Sequence, residues 1–249
     1  NKIQTAVMSA LAAMSLSQSA IAAVDDANVD NAAGTTITGT GYGVKLDAGG
    51  PYTIDNAGEI NSTAGTLSYG IDINSVTTTS INNTSTGVIK ADATTGGRAY
   101  GINMTSTASV GTLINAGLIS GSAASKFGRG IHLTSSNIET LTNSGRILGV
   151  AGASNGTGLL ATKSTITTLT NTGTISGSAG DDTGKGLSIE TASIITLINK
   201  GTISGLGSDY GIGLDIGYTS SINTLTNSGL ITGLVEGSNS NGTGIRMET

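Results

Sequence analysis

Apolar residues occupy every second position in short segments of this chain, and the segments return at a fixed interval. The sequence TLxNxGxI appears five times, with asparagines 28 residues apart at Asn115, Asn143, Asn171, Asn199 and Asn227. Alternation with a period of two predicts β-strands, because successive side chains of a strand point to opposite faces. A fixed period of this length predicts a solenoid, whose units bury their apolar sides only by stacking on each other.

Two further columns complete each repeat. A glycine followed by alternating apolar residues recurs at Gly43, Gly70, Gly101, Gly130, Gly158, Gly186, Gly213 and Gly244. An apolar residue lies five positions before each repeat asparagine, at Val110, Ile138, Ile166, Ile194 and Ile222. Three apolar faces per repeat predict an all-β fold: a right-handed parallel β-helix (solenoid) of about eight coils. Leucine-rich repeats are disfavoured, because neither their LxxLxL consensus nor a helical return is visible.

The repeat asparagines are predicted to point inward and to form a ladder. A side-chain amide can donate to the amide of one neighbouring coil and accept from the other. Each bond contributes only about 1 kcal/mol, whereas a buried amide without a partner costs roughly 1 to 3 kcal/mol. The ladder should therefore fix the register between coils more than it adds stability.

Coil length varies mainly between the isoleucine of NxGxI and the next glycine. That segment has 10 residues from Ile60 to Gly70 and 13 from Ile231 to Gly244, which predicts loops on one edge. Two extra residues between Asn83 and Gly87 predict a bulge.

The first segment differs from the rest. Residues 3–22 are uncharged, follow Lys2 and end in Ala20, Ile21 and Ala22, as in a secretory signal with an AxA cleavage site. The alternative is a buried or capping N-terminal helix, although many serines and alanines make a weak core helix. The predicted organisation is a signal-like segment at 1–23 and a β-helix fragment at 24–249, which we expect to continue beyond the C-terminus because an open coil end exposes strand edges.

Composition narrows the range of partners. With 11 basic against 16 acidic residues, a net charge of −5 and no basic cluster, nucleic acid is a poor partner. The absence of cysteine excludes disulfides and cysteine metal sites.

The outward positions that follow each glycine are where a carbohydrate-active β-helix would carry its catalytic carboxylates. This column is Lys45, Asp72, Asn103, His132, Leu160, Ser188, Asp215 and Arg246, and it is predicted to be a solvated strand face. Asp72 and Asp215 would lie about five coils apart, roughly 24 Å, too far to share one glycosidic bond. Gly152–Gly156 spells GxSxG outside the required strand-to-helix context, and the acidic pairs Asp25–Asp26 and Asp181–Asp182 lack a calcium-binding repeat. No catalytic, cofactor or metal residue is predicted.

Three tyrosines, Tyr42, Tyr69 and Tyr100, share the position before the glycine in successive coils. They could grip a sugar ring, or they could cover the coil edge by packing across strands. Glycan contact at these rings is therefore a hypothesis that competes with simple packing.

The chain resembles the passenger region of Gram-negative autotransporters. The features that carry the resemblance are coils such as Ile138–Ile147 (IETLTNSGRI), the signal-like segment, the lack of cysteine and the 3% aromatic content. Similar NxGxI coils occur in other secreted β-helix exoproteins, including filamentous haemagglutinin-like ones. The resemblance implies export through the periplasm, passage through a C-terminal outer-membrane β-barrel in the full-length protein, and folding at the cell surface.

The expected function is therefore that of a non-enzymatic, surface-exposed or secreted stalk or adhesin. Its partners would be a host surface, a glycan or sister passengers. Two alternatives stay open: a carbohydrate-active β-helix enzyme, and an inert spacer that presents a domain outside this fragment.

Overall fold

A computed structural model describes residues 20–236 and 241–248 of the chain. Its strands form three sheets, A, B and C, and the chain visits the sheets in turn as it winds. All strand pairs are parallel, each between equivalent strands of neighbouring coils. The predicted all-β parallel solenoid of about eight coils with 28-residue spacing is confirmed, and the described residues contain no helix.

The strands divide among the sheets as follows. Sheet A has nine strands: β1 (Ala20–Ala22), β4 (Thr36–Gly39), β7 (Glu59–Ala64), β10 (Val88–Ala93), β13 (Leu118–Ala123), β16 (Arg146–Ala151), β19 (Thr174–Ala179), β22 (Thr202–Gly207) and β25 (Leu230–Val235). Sheet B has nine: β2 (Val24–Asp25), β5 (Tyr42–Leu46), β8 (Leu67–Asn74), β11 (Arg98–Thr105), β14 (Gly128–Thr134), β17 (Gly156–Thr162), β20 (Thr183–Glu190), β23 (Tyr210–Ile216) and β26 (Asn241–Met247). Sheet C has eight: β3 (Val29–Asn31), β6 (Tyr52–Asn56), β9 (Thr77–Asn83), β12 (Ser109–Asn115), β15 (Asn137–Asn143), β18 (Thr165–Asn171), β21 (Ser193–Asn199) and β24 (Ser221–Asn227).

The core lies between the three sheets and is built from columns of aliphatic side chains. In one coil, Ile147 of sheet A, Ile131 of sheet B and Leu141 of sheet C are all fully buried. The register places like on like, so that Ile138 pairs with Ile166 and Leu141 with Leu169. Each coil thus covers the apolar side of the next, which is why the period of the sequence sets the fold.

One asparagine per coil forms a continuous hydrogen-bonded ladder at the corner between sheets C and A. The side-chain Nδ2 of each donates to the Oδ1 of the next at 2.6–2.8 Å. The ladder includes the five repeat asparagines and extends back through three earlier coils, in the order Asn31, Asn56, Asn83, Asn115, Asn143, Asn171, Asn199 and Asn227. Its members are buried except Asn227, which is exposed.

The prediction of a bulge after Asn83 is wrong. The two extra residues form a turn outside the sheets, in which the Gly87 N–H donates to the Thr84 carbonyl at 2.9 Å. Pairing is undisturbed on both sides, with Asn83 opposite Asn115 and Val88 opposite Leu118. A turn at a corner absorbs the insertion without breaking either ladder of backbone hydrogen bonds.

The variable edge is also more ordered than the loops that the sequence predicted. The ends of sheet A strands pack against the beginnings of sheet B strands and form a thin two-layer arm beyond the core. Only short tips, such as residues 124–127, lie outside strands. The layers approach closely because their inner residues are small, as in the cluster Ala91, Ala93, Ala99 and Ala123.

The predicted signal-like segment falls mostly outside the described residues. Residues 1–19 are not described, whereas Ala20–Ala22 at the predicted cleavage site forms β1 and pairs in parallel with Thr36–Thr38.

At the corner between sheets B and C, seven of the eight described turns place one or two non-glycine residues in the left-handed backbone region, and the turn between β5 and β6 uses Gly49 and Gly50. The non-glycine residues are Asp26 (φ 44°), Ser75 (φ 62°), Ser106 (φ 55°), Thr107 (φ 69°), Ser135 (φ 52°), Lys163 (φ 50°), Thr191 (φ 51°) and Thr219 (φ 57°). A side chain with a Cβ is strained in this region. The repeated corner geometry is therefore held by the hydrogen bonds and packing of the neighbouring coils.

Thr191→Asn is expected to stabilise the protein by up to about 1 kcal/mol, because asparagine tolerates left-handed dihedrals better than a β-branched residue. The Thr191 side chain is exposed, so its removal sacrifices no packing. Chemical denaturation would measure the change. Thr167→Asn, at an exposed strand position with ordinary φ, is the control and should be neutral or destabilising. Equal effects at the two sites would contradict the argument.

Candidate functional site

The outward face of sheet B is bent along the glycine column. A Cβ added at Gly158 would lie 2.7 Å from the Gly186 carbonyl oxygen and 2.7 Å from the Ser176 nitrogen, so only glycine lets sheet B fold this tightly against sheet A. Outward side chains before and after the glycine consequently converge. The rings of Tyr100 and His132 lie 4.8 Å apart, and Lys185 Nζ lies 2.7 Å from Asp215 Oδ2.

We call this surface the concave face and define it by two columns. The column before the glycine is Tyr42, Tyr69, Tyr100, Arg129, Thr157, Lys185 and Ile212, and the column after it is Lys45, Asp72, Asn103, His132, Leu160, Ser188, Asp215 and Arg246. The expectation of a solvated strand face is wrong for half of the second column, because Asn103, Leu160, Ser188 and Asp215 are buried. Asn103 is 4% exposed, Ser188 0% and Asp215 2%, because the two columns shield each other across the bend.

The first coils of the concave face carry an aromatic stack. Tyr42 pairs with Tyr69 and Tyr69 with Tyr100 in adjacent strands, as the shared sequence position indicated. The rings of Tyr69 and Tyr100 lie 5.6 Å apart at 39°, and burial raises the pKa of the Tyr69 hydroxyl to about 12. Tyr100 is buried, which leaves Tyr42 and Tyr69 as the partly exposed rings.

Sequence reasoning missed the residues that extend this stack at the arm. The Arg129 guanidinium lies 5.2 Å from the Tyr100 ring centroid and 5.0 Å from that of Phe127. The Arg98 guanidinium lies 5.3 Å from the same Phe127 ring. Two features of the sequence could have indicated these residues: Arg129 continues the tyrosine column, and Phe127 is the only phenylalanine of the chain.

A chain of polar side chains runs along the second column. Asn103 Nδ2 donates to Asp72 Oδ1 at 2.7 Å, so the amide oxygen of Asn103 is free to accept. His132 Nδ1 lies 2.8 Å from that oxygen and therefore carries a proton, while His132 Nε2 accepts from the Thr134 hydroxyl at 3.0 Å. This arrangement selects one neutral tautomer of the imidazole.

The two ionisable residues in this row of hydrogen-bonded side chains, Asp72 and His132, have shifted pKa values. Burial raises the pKa of Asp72, and the hydrogen bond from Asn103 only partly opposes the effect. Burial, with the positive charges of Arg129 and Arg98, lowers the pKa of His132 to about 3. The histidine is thus held neutral, and a neutral imidazole between two hydrogen-bond partners is a structural element here rather than a poised base.

His132 should make the fold acid-sensitive. An unfolded histidine titrates near pH 6.5. Because the folded pKa is lower, stability is full above about pH 6.5 and falls as the pH drops towards the folded value. Wild type is expected to lose on the order of 2–3 kcal/mol between pH 7 and pH 4 through this group. His132→Gln retains polar atoms but has no group that titrates in this range, so its free energy of unfolding should not show this decrease between pH 7 and pH 4.

Denaturation of both proteins at the two pH values measures the difference, and NMR can follow the chain's only histidine directly. An identical loss in wild type and variant, or a histidine that titrates near 6.5, would contradict a neutral, shielded His132.

The last coils of the concave face carry a charged cluster around Asp215. Arg246 donates to both carboxylate oxygens, from Nε at 2.7 Å and from Nη2 at 2.9 Å, and Lys185 and Ser188 contact Oδ2. Burial by itself raises the pKa of Asp215, but the hydrogen bonds and charges of Arg246 and Lys185 outweigh it and leave the pKa lowered. The carboxylate is consequently ionised and fully engaged.

The geometry gives these carboxylates no shared reaction centre. Asp72 lies on β8 and Asp215 on β23, with four strands of sheet B between them, which corresponds to roughly 24 Å. Acid–base cleavage of a glycosidic bond needs two carboxyl groups within about 10 Å. The GxSxG segment lies at the arm tip between β16 and β17, and both nitrogens of His132 are already hydrogen-bonded.

One acidic group, formed by Asp25, Asp26 and Asp47, lies at the first coils. Asp26 Oδ1 already accepts the N–H groups of Asp47 and Ala48, and Lys45 pairs with Asp47. These contacts engage the carboxylates of Asp26 and Asp47 in a turn. Over the part of the chain that the structure describes, no helix is both long and apolar enough to cross a membrane.

Comparison of this chain with known protein families, with curated proteins and with solved structures finds no match.

Proposed function

We propose that this chain is the non-enzymatic β-helical passenger of a secreted or surface-exposed protein, which acts as a stalk and adhesin in attachment to cells. The observation that carries the proposal is the continuity of the asparagine ladder from Asn31 to Asn227. An unbroken ladder with three parallel sheets makes a stiff rod, and stiffness along one axis is what a stalk needs.

The exposed faces of the rod support a role in contact with other surfaces. The outward side of sheet C forms a shallow trough of about 570 Å³ lined largely by small polar residues, among them Thr77, Ser109, Asn137 and Thr165, together with the acidic Glu139. Such a surface offers many hydroxyl groups and few fixed charges. It suits broad, shallow contact with a host surface or glycan, or with a sister passenger, better than it suits enclosure of a small substrate.

Export by the autotransporter route remains part of this proposal and rests on the sequence resemblance. The lack of cysteine supports it, because a chain that crosses an outer membrane unfolded gains from having no disulfides to form beforehand.

Adhesion is tested with fluorescent beads that carry the purified 249-residue chain. The expected result is saturable binding to cultured host cells, inhibited by soluble chain, with no binding by beads that carry an unrelated protein of equal charge. Failure to bind cells or to self-associate would favour the inert spacer.

The enzymatic alternative is tested separately, by incubating the chain with polysaccharides and measuring new reducing ends. We expect none. Depolymerisation that is abolished by Asp72→Asn or Asp215→Asn would replace the adhesin proposal with a carbohydrate-active enzyme.

A further inference from the structure

Arg129 of the concave face and Arg98 of the adjoining arm have no acidic partner within ion-pair distance among the described residues. Among the described residues, the cations of salt bridges are Lys45, Lys90, Lys185 and Arg246. Arg98 and Arg129 form none, although the chain has more carboxylates than basic groups. Their contacts are instead aromatic, through the ring of Phe127, which both guanidinium groups approach at 5.0–5.3 Å.

The cluster of Arg98, Phe127 and Arg129 is built by two adjacent coils. Arg98 begins β11, while Phe127 directly precedes β14 and Arg129 is its second residue. Arg98 is exposed, and Phe127 and Arg129 are partly exposed, so solvent and ligands reach the site. Tyr69 lies in the same column as Arg129 and extends the aromatic surface towards the first coils.

The aromatic contacts leave the arginine donors available. A guanidinium that stacks on a ring uses its flat face, whereas its N–H groups lie in the plane and point outward. Within the described part of the chain, neither guanidinium donates a hydrogen bond to a protein group. The donors of both guanidinium groups therefore lie beside aromatic rings and are open to a ligand.

The electrostatics of the cluster favour an incoming anion. Burial lowers the pKa of Arg129, and the adjacent charge of Arg98 adds to that effect, while Glu190 opposes it from beyond ion-pair distance. Two like charges held together without a contacting counter-ion destabilise each other. A ligand with a negative group would relieve that repulsion and satisfy the free donors.

From this arrangement we propose that the Arg98–Phe127–Arg129 cluster and Tyr69 bind an acidic saccharide. The negative group of the sugar accepts hydrogen bonds from the arginines in a bidentate manner, and the pyranose ring packs on the partly exposed aromatic faces. This inference rests on the proposed adhesive function and gives its glycan partner a chemical class. Carboxylate and sulfate share the required chemistry, and the experiment separates them.

The test is calorimetric titration of the full chain with four probes: an oligogalacturonate hexamer, a heparin hexasaccharide, neutral maltohexaose and a single-stranded oligonucleotide. We expect an acidic saccharide to bind at least tenfold more tightly than maltohexaose, with affinity that falls as salt rises. Preference for galacturonate or for heparin identifies carboxylate or sulfate as the group. Equal binding of maltohexaose, no saturable binding of either acidic sugar, or tighter binding of the oligonucleotide would overturn the proposal.

Variants locate the site. Arg98→Gln changes an exposed side chain and leaves the core intact, so it should weaken acidic-saccharide binding about tenfold without altering the circular dichroism spectrum. Phe127→Leu should weaken binding of the same probe. The control is Arg146→Gln, at an exposed arginine on sheet A that also lacks a salt-bridge partner among the described residues. An effect of Arg146→Gln equal to that of Arg98→Gln would contradict a site at the cluster.

The two proposals can fail independently. Suppose that beads still adhere after uronates and sulfates are removed enzymatically from the cell surface, and that neither acidic saccharide binds in calorimetry. That result would overturn the saccharide proposal and leave adhesion standing. Binding of an acidic saccharide without bead adhesion would overturn adhesion and leave the saccharide proposal standing.

Discussion

Replacement of Gly158 by alanine is expected to lower the free energy of unfolding by about 2–4 kcal/mol. The added methyl would lie 2.7 Å from the Gly186 carbonyl oxygen, 2.7 Å from the Ser176 nitrogen and 2.9 Å from the Ile175 side chain. Two of these atoms belong to backbone in paired strands, so the clash cannot be relieved by rotating one side chain. Denaturant titration would measure the loss.

Gly65→Ala is the matched control for this prediction. Its added Cβ would meet only the Thr95 hydroxyl, at 3.0 Å. That hydroxyl is exposed, so water can replace the hydrogen bond that it donates to the Gly65 carbonyl at 2.9 Å if the side chain moves. The control should be close to neutral, since it also reduces the freedom of the unfolded chain. If Gly158→Ala proved as mild as Gly65→Ala, sheets A and B could not approach as closely as the structure places them.

The stacking of equivalent residues explains which parts of the molecule the sequence predicted. Stacked positions require similar residues at a constant spacing. The coil period, the three apolar columns and the repeat asparagines are therefore visible in the sequence. The strand that contains Ile138 and its neighbour that contains Ile166 could therefore be placed, and paired, from the amino-acid pattern alone.

The bend of sheet B was harder to predict from the sequence than the stacking of the coils. The glycine column was visible, but a glycine indicates only that a side chain is missing and not which backbone takes its place. Alternation alone assigns Asn103 and Asp215 to an outward, wet face, whereas the bend brings a second column over them. Contacts across the bend, such as that of Lys185 with Asp215, join residues 30 positions apart.

The arginine–phenylalanine cluster was harder still to predict. Phe127 lies in an arm tip whose length varies between coils, so it has no repeat equivalent to mark it. Arg98 meets it only because the arm places the tip of one coil beside the first strand residue of the previous one. Candidate sites in a solenoid thus arise where the repeat is broken, and the repeat itself supplies the rigid support.

Asn171→Leu tests that support directly and is expected to destabilise the protein by about 3 kcal/mol. Asn171 accepts from Asn143 Nδ2 at 2.7 Å and donates to Asn199 Oδ1 at 2.8 Å, and it also donates to the Thr202 carbonyl at 3.1 Å. Leucine fits an apolar core but leaves these buried groups without partners. The cost is that of unsatisfied polar groups rather than of lost volume. Denaturation would report the loss, and limited proteolysis would report coils that stack out of register.

Asn227→Leu is the control, because it makes the same chemical change at the exposed end of the ladder. Asn227 accepts from Asn199 Nδ2 at 2.7 Å, and among the described residues it donates to the Gly229 carbonyl, at 3.3 Å, where water can replace a lost partner. We expect a loss of at most about 1 kcal/mol there. The difference between the two variants isolates the contribution of burial, since both remove one amide and add one isobutyl group. Equal losses would mean that the interior amides are no more dependent on each other than an amide in water, and the ladder would then not be what holds successive coils in register.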